Sequence, residues 1–295
     1  MPARGDCPFI SEALHSISLS TLLPLETLIV NDGMSPLAIE TSLVFKNRMN
    51  IQIIGNEGAG LVDALNTGLR HAKGMLIARL DTDDLVTPDR FQMQSEYLAN
   101  NPSVVVIGSQ CNYINVRGEL VGASSYPSGI LNTHLDFRER CLVAHPSSMY
   151  RRSSAISIQG YRSIFVFNQT VIAEDFDFWL RMSQVGLIAN LDQKLIFYRQ
   201  HSDQLSSKNF DAQLLGTPYI AAVNMSQKSI PTVVEFVDSF TTNKLILIQT
   251  IGKFLGCRKK IASYLLIWKI EKSYIKRINI VEKVISRIIA LLIVN

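Results

Sequence analysis

Two hydrophobic periods alternate along the first 110 residues. Phe9, Ala13 and Ile17 recur every four positions, as do Leu61, Leu65 and Leu69, which predicts helices over 9–20 and 59–72. Short apolar runs at 26–30, 50–54, 75–80 and 104–107 predict buried strands between them. A third helix over 88–99 starts after Thr87-Pro88 and stops at Asn100-Asn101-Pro102, where proline cannot continue it. Strands separated by helices imply a mostly parallel sheet with both faces covered. Ligands of such sheets sit beyond the carboxyl ends of the strands. There this chain places Asn31-Asp32-Gly33, which reads as a turn, and Asp81-Thr82-Asp83-Asp84. From 111 to 161 the pattern is less regular. Glu174-Asp175 then opens a helix with Phe176, Trp179 and Leu180 inward, 195–198 reads as a closing strand, and 204–211 is polar.

The acidic run has the chemistry of a cation site. Carboxylates held together raise one another's pKa unless a cation or water relieves them. Oxygen ligands at that density suit a hard divalent ion shared with substrate phosphates. A solvated turn capping the next helix is the alternative, although Thr87-Pro88 already supplies that cap. Gly55-Asn56-Glu57-Gly58-Ala59-Gly60 matches neither the dinucleotide nor the P-loop pattern, so it reads as a strand-to-helix turn and gives a nicotinamide enzyme no support. Glu174-Asp175 either complements the helix dipole, worth about 0.3–1 kcal/mol, or supplies a general base facing metal-bound phosphates. His201 is either a surface histidine or a further ligand at a position that two carboxylates leave open. Arg151, Arg152 and Arg199 either neutralise a diphosphate or are surface charge.

Composition divides the chain into regions with different jobs. At 295 residues and 47% hydrophobic, it is long enough for one large core and an appendage. Net charge is +4, yet from Thr241 onward eleven Lys/Arg face two Glu, so an acidic body precedes a strongly basic tail. The tail sets Ile261, Leu265 and Trp268 against Lys269, Lys272 and Lys276 at helical intervals. That pattern predicts either helices packed on the body or an interfacial membrane helix with its cations at anionic headgroups. Its apolar residues outnumber what phosphate contact needs, which argues against nucleic acid as a partner. No run is long enough to span a bilayer, and the first residues lack a signal-peptide core. Cys7, Cys111, Cys141 and Cys257 form no CxxC pair, which argues against a zinc ribbon or disulfide framework and for a reducing, cytoplasmic setting. The expected organisation is a catalytic domain over 1–207, a linker over 208–240 and a basic amphipathic helical tail over 241–295.

Several motifs in series carry a resemblance. They are Leu28-Ile29-Val30-Asn31-Asp32-Gly33, Ala64-Leu65-Asn66-Thr67-Gly68-Leu69, and Ile77-Ala78-Arg79-Leu80-Asp81-Thr82-Asp83-Asp84 with Pro88 and Arg90. His145-Pro146-Ser147-Ser148, Gly160-Tyr161-Arg162, Ala173-Glu174-Asp175-Phe176-Asp177-Phe178-Trp179 and Tyr198-Arg199-Gln200-His201 follow in order. Over about residues 7–207 the series resembles the family 2 glycosyltransferases of the GT-A fold, bacterial polysaccharide-biosynthesis type. The resemblance implies an α/β fold, with a mostly parallel mixed sheet flanked by helices. It implies that Asp32 contacts the nucleoside of a nucleotide-sugar donor and Asp81 its ribose. Asp83 would meet a Mg²⁺ or Mn²⁺ ion bridging the diphosphate, with His201 as a late metal contact. Asp175 would deprotonate the acceptor hydroxyl, so that the anomeric carbon inverts. Processive members carry Gln-x-x-Arg-Trp after the base helix; none stands here, which implies one sugar added at a time.

The acceptor so implied is a lipid-linked glycan or polysaccharide precursor, and the setting is peripheral on the inner face of the plasma membrane. Relatives open with a buried strand ending in a Pro-x-Tyr-Asn-like loop, and commonly carry Asp where this chain has Asn31. Here residues 1–8 stand in place of that strand, so the expectation is a missing first strand, with unpaired backbone groups. Two other readings follow: a truncated, catalytically impaired, membrane-associated remnant, or a metal-dependent nucleotidyltransferase, which has no need of Asp175.

Overall fold

Thr27–Met34 (β2), with the adjacent Ile29 and Val30 both buried, carries the amino-terminal sheet. The computed structural model describes residues 1–131, 141–166, 169–171, 173–201 and 204. Pro2–Gly5 (β1) and Ile51–Gly55 (β3) flank β2, both parallel to it. Where the sequence led us to expect no strand, four residues pair with β2 at the edge of this sheet. Pro2 pairs with Val30 and Gly5 with Met34, Ala3 is buried, and the Met1 amino group donates to the Leu28 carbonyl at 2.8 Å. Four residues of Pro-Ala-Arg-Gly show no alternation; their strand conformation comes from β2 alongside, a tertiary effect that overrides local preference.

β2 also runs on through Asn31-Asp32-Gly33, where a turn was expected. Asn31 pairs with Ala3 on one side and Gly55 on the other, and its Oδ1 accepts the Gly33 and Met34 N–H groups. Gly33 takes φ +93°, a conformation that costs glycine little.

The predicted helices are present as Ile10–Ser18 (α1), Leu61–His71 (α3) and Arg90–Asn100 (α4). Between α1 and α3 lies an unforeseen helix, Pro36–Leu43 (α2). Its start was nonetheless written in Ser35-Pro36: the Ser35 hydroxyl accepts from Ala38 N–H, and proline occupies the first turn.

The second sheet has the order Leu76–Ala78 (β4), Met149–Arg151 (β9), Val104–Ile114 (β6), Leu187–Arg199 (β12), Leu85–Val86 (β5). Leu120–Ala123 (β7) adds to β6, and Gly129–Ile130 (β8) to β12. Here only β6 and β12 run parallel; the other pairs are antiparallel. Both long strands exceed their apolar runs because buried polar residues continue them with partners supplied from elsewhere. Gln110 is satisfied by Ser124 and Tyr126, and Asn190 donates to the Pro127 and Leu142 carbonyls. Ile164–Val166 (β10) and Gln169–Val171 (β11) form a hairpin, and Arg152–Ser157 (α5) precedes it.

Glu174–Met182 (α6) follows the hairpin and packs Phe176, Phe178 and Trp179 against Leu65, Leu69 and Tyr150. A second cluster joins Ile10, Leu14, Ile29, Leu98 and Ile107. Each such side chain, fully buried, contributes about 1.5–3 kcal/mol. Among the described residues no helix is long and apolar enough to cross a membrane. The linker over 208–240, the tail over 241–295 and Cys257 lie outside the described residues.

Candidate active site

β4 ends in the acidic turn, where the carboxylates of Asp81, Asp83 and Asp84 offer oxygens within 4.8 Å of one another. Arg79, buried below them, forms an ion pair with Asp81. His201 brings its Nε2 to 2.9 Å from Asp83 Oδ2, so the late histidine and the acidic turn meet across 118 residues. Asp84 is 1% exposed; one oxygen accepts the Arg199 N–H at 2.8 Å, and the other has no hydrogen-bond partner among the described residues. Burial first, then the charge of Asp81, holds Asp83 above the usual carboxylate range, and Asp84 well above it. A divalent cation bound here would satisfy the orphan oxygen and relieve the mutual repulsion. The donors are all oxygen and imidazole, so Mg²⁺ or Mn²⁺ fits them.

Asp32 is held differently. It accepts from Asn56 Nδ2 at 2.8 Å and from Gly60 N–H at 3.0 Å, and Arg4 of β1 approaches to 3.6 Å. The turn over 55–60 therefore closes on Asp32 and leads into α3, with Gly60 at φ +83° just before the helix. This agrees with the strand-to-helix reading of that segment.

α6 is fixed by Asp177, which is wholly buried. Arg162 grips it with Nε at 2.9–3.0 Å and a terminal nitrogen at 2.6 Å, and Arg181 reaches it at 2.8 Å. Arg181 also donates to the Ile158 and Gly160 carbonyls. Asn66 of α3 exchanges two 2.8 Å hydrogen bonds with the Tyr161 backbone, and a Cβ on Gly160, whose φ is +69°, would collide with it. Asn66, Gly160-Tyr161-Arg162 and Asp177 thus form one brace that presents Glu174 and Asp175 at the helix start.

Asp175 is raised above the ordinary carboxylate range by burial, against the pull of the Phe176 N–H and of Arg79. Glu174 is pushed up to about 8, by burial and then by Asp175. Below it lies His145, held well below its usual pKa by burial and hence neutral, with Nδ1 3.9 Å from Glu174 and Nε2 3.0 Å from the Tyr161 hydroxyl. The charge of Asp81 acts on Glu174 and Asp175 as well as on Asp83 and Asp84.

The three arginines left open by sequence all donate to main-chain carbonyls. Arg151 donates to the Leu98, Asn101 and Val104 carbonyls, Arg152 to those of Leu69 and Arg70, and Arg199 is wholly buried behind the acidic turn. Sequence reasoning missed Arg79 as the cation beside the site; its one signal was a charge inside the apolar run Ile77-Ala78-Arg79-Leu80.

Known proteins agree with this architecture. The family model for glycosyl transferase family 2 matches residues 1–158. An uncharacterized glycosyltransferase of Haemophilus influenzae is 30% identical over 207 residues, which are 68% of this chain and 64% of that protein, just under two thirds of its length. The amylovoran biosynthesis glycosyltransferase AmsE of Erwinia amylovora is 28% identical over 204 residues, 68% of this chain and 73% of that one. Mannosyltransferase PcManGT from Pyrobaculum calidifontis, solved in complex with GDP-Man and Mn²⁺, shares the GT-A fold with a TM-score of 0.57 at 14% identity, covering 90% of this chain and 72% of that one. Matched by that family model over more than half its length, the chain belongs to glycosyl transferase family 2.

Proposed function

We infer that this glycosyltransferase moves one sugar at a time from a nucleotide-diphosphate sugar to a hydroxyl of a lipid-linked glycan or polysaccharide precursor, inverting the anomeric carbon. The observation that carries this reading is the acidic turn, where Asp81, Asp83 and Asp84 offer oxygens within 4.8 Å of one another and His201 meets Asp83 at 2.9 Å. The names of relatives support the substrate classes: AmsE acts in amylovoran biosynthesis, and PcManGT binds GDP-Man with Mn²⁺.

Asp32, preorganised by Asn56 and Gly60, receives the nucleoside, and Asp81 the ribose. Asp83 and Asp84, with His201, hold the divalent ion. When bound, that ion offsets the charge developing on the departing nucleoside diphosphate. The acceptor hydroxyl has a high pKa, so Asp175 takes its proton as attack proceeds. The acceptor oxygen gains the bond to the anomeric carbon, the bond from that carbon to the diphosphate breaks, and the proton ends on Asp175. Burial makes Asp175 a stronger proton acceptor than an exposed aspartate. Glu174, protonated near neutral pH, stays out of the exchange.

The basic segment past Thr241 would lie on anionic lipid at the inner face of the plasma membrane, bringing the site to a lipid-linked acceptor. Product stereochemistry tests the reaction. Proton NMR of the first glycoside formed should show the anomer opposite to the donor's; retention would remove Asp175 from the role of base.

A further inference from the structure

Arg199 ends β12 wholly buried, and all three of its guanidinium nitrogens donate. Nε reaches the Asp83 carbonyl at 3.0 Å, one terminal nitrogen the Asn115 and Val116 carbonyls at 3.2 Å, and the other Glu12 Oε2 at 2.6 Å. The Arg199 backbone N–H donates to Asp84 Oδ1, and the guanidinium carbon stands 4.2 Å from the Phe9 ring centre. That ring lies 5.8 Å from the imidazole of His201, two residues further on.

We propose that Arg199 is a positioning residue of the cation site, setting the spacing between the acidic turn and His201, with Glu12 of α1 holding its guanidinium in place. The proposal rests on the metal-and-donor reading above. One residue grips the main chain of Asp83 and the carboxylate of Asp84, and it is joined through Gln200 to His201. A buried planar fork has few alternative settings, because each N–H that loses its acceptor leaves an unsatisfied group. Lysine would keep the charge but not the three directions. Glu12 is 54% exposed, so its carboxylate matters here for aiming Arg199 rather than for filling the core. Arg151 is a built-in control: it too donates to three carbonyls, none of them in the acidic turn.

The test is Mn²⁺ binding by calorimetry in the presence of UDP or GDP, with thermal unfolding measured alongside. Groups that orient metal ligands typically change affinity by about 10–100-fold when replaced, so Arg199→Lys should weaken Mn²⁺ at least about tenfold. Arg151→Lys should lower the melting temperature comparably yet leave Mn²⁺ affinity within about twofold of the parent. Glu12→Gln, at a half-exposed position that folding tolerates, should weaken Mn²⁺ by a smaller factor in the same direction, and it decides the matter if Arg199→Lys does not fold. Parental Mn²⁺ affinity in a folded Arg199→Lys, or in Glu12→Gln when that variant decides, overturns the positioning role. A parent chain that binds no Mn²⁺ with either nucleotide overturns the metal reading itself, and this one with it.

Discussion

Asp32 and the acids around Asp81 are held in opposite ways. Asp32 has its partners already, from a side-chain amide, a backbone N–H and the nearby Arg4. Asp84 and Glu174 are buried and Asp83 and Asp175 half-buried; all four are pushed up in pKa, and one Asp84 oxygen has no hydrogen-bond partner among the described residues. The first arrangement suits a neutral hydrogen-bonding group, such as a nucleobase. The second is costly until something charged arrives or a proton is taken up. One is a preformed hydrogen-bond site and the other an electrostatically incomplete one, and each should respond to a different perturbation.

The largest difference should come from the incomplete side. Asp83→Ala removes a cation ligand and the partner of His201, and should reduce Mn²⁺-dependent nucleotide-sugar binding by about 100-fold or more. Asp32→Ala should weaken the donor by only about tenfold, or 1.4 kcal/mol, and leave Mn²⁺ affinity unchanged. Equal losses of Mn²⁺ in the two variants would erase the distinction.

A pH effect sharpens the comparison at smaller amplitude. The Glu174 carboxyl titrates near 4.5 unfolded and at about 8 folded, so between those values the folded state holds a proton that the unfolded state has lost. Its contribution therefore turns against folding as pH rises through that window. Glu174→Gln mimics the protonated form. It should match the parent's melting temperature at pH 5 and exceed it at pH 9 by several degrees, each kcal/mol being worth about 2–4 °C in a domain of this size. Identical pH profiles for the two proteins would contradict the burial argument.

Much of this was legible because periodicity is local. The 3.6-residue spacing of Leu61, Leu65 and Leu69 and the apolar runs of β3 and β4 need no distant partner to be recognised. β1 was not legible, since Pro-Ala-Arg-Gly becomes a strand only beside β2, nor were the full lengths of β6 and β12, whose buried polar residues are satisfied from other segments. The acids of the site stood out as a charge cluster without a packing use. What stayed hidden was the set of cations turned inward: Arg151, Arg162, Arg181 and Arg199 all find acceptors on other segments of the chain. Charge alone does not distinguish an arginine aimed at a phosphate from one aimed at a carbonyl.

Asp175→Asn tests the central claim most directly, with donor binding and sugar transfer measured on the same preparation. Asparagine keeps the size and the Oδ1 acceptor of the Phe176 N–H while removing the base. Donor affinity with Mn²⁺ should stay within about twofold of the parent, while the transfer rate falls by about 10²–10⁴, the usual worth of a positioned base. Transfer at the parental rate would contradict the account.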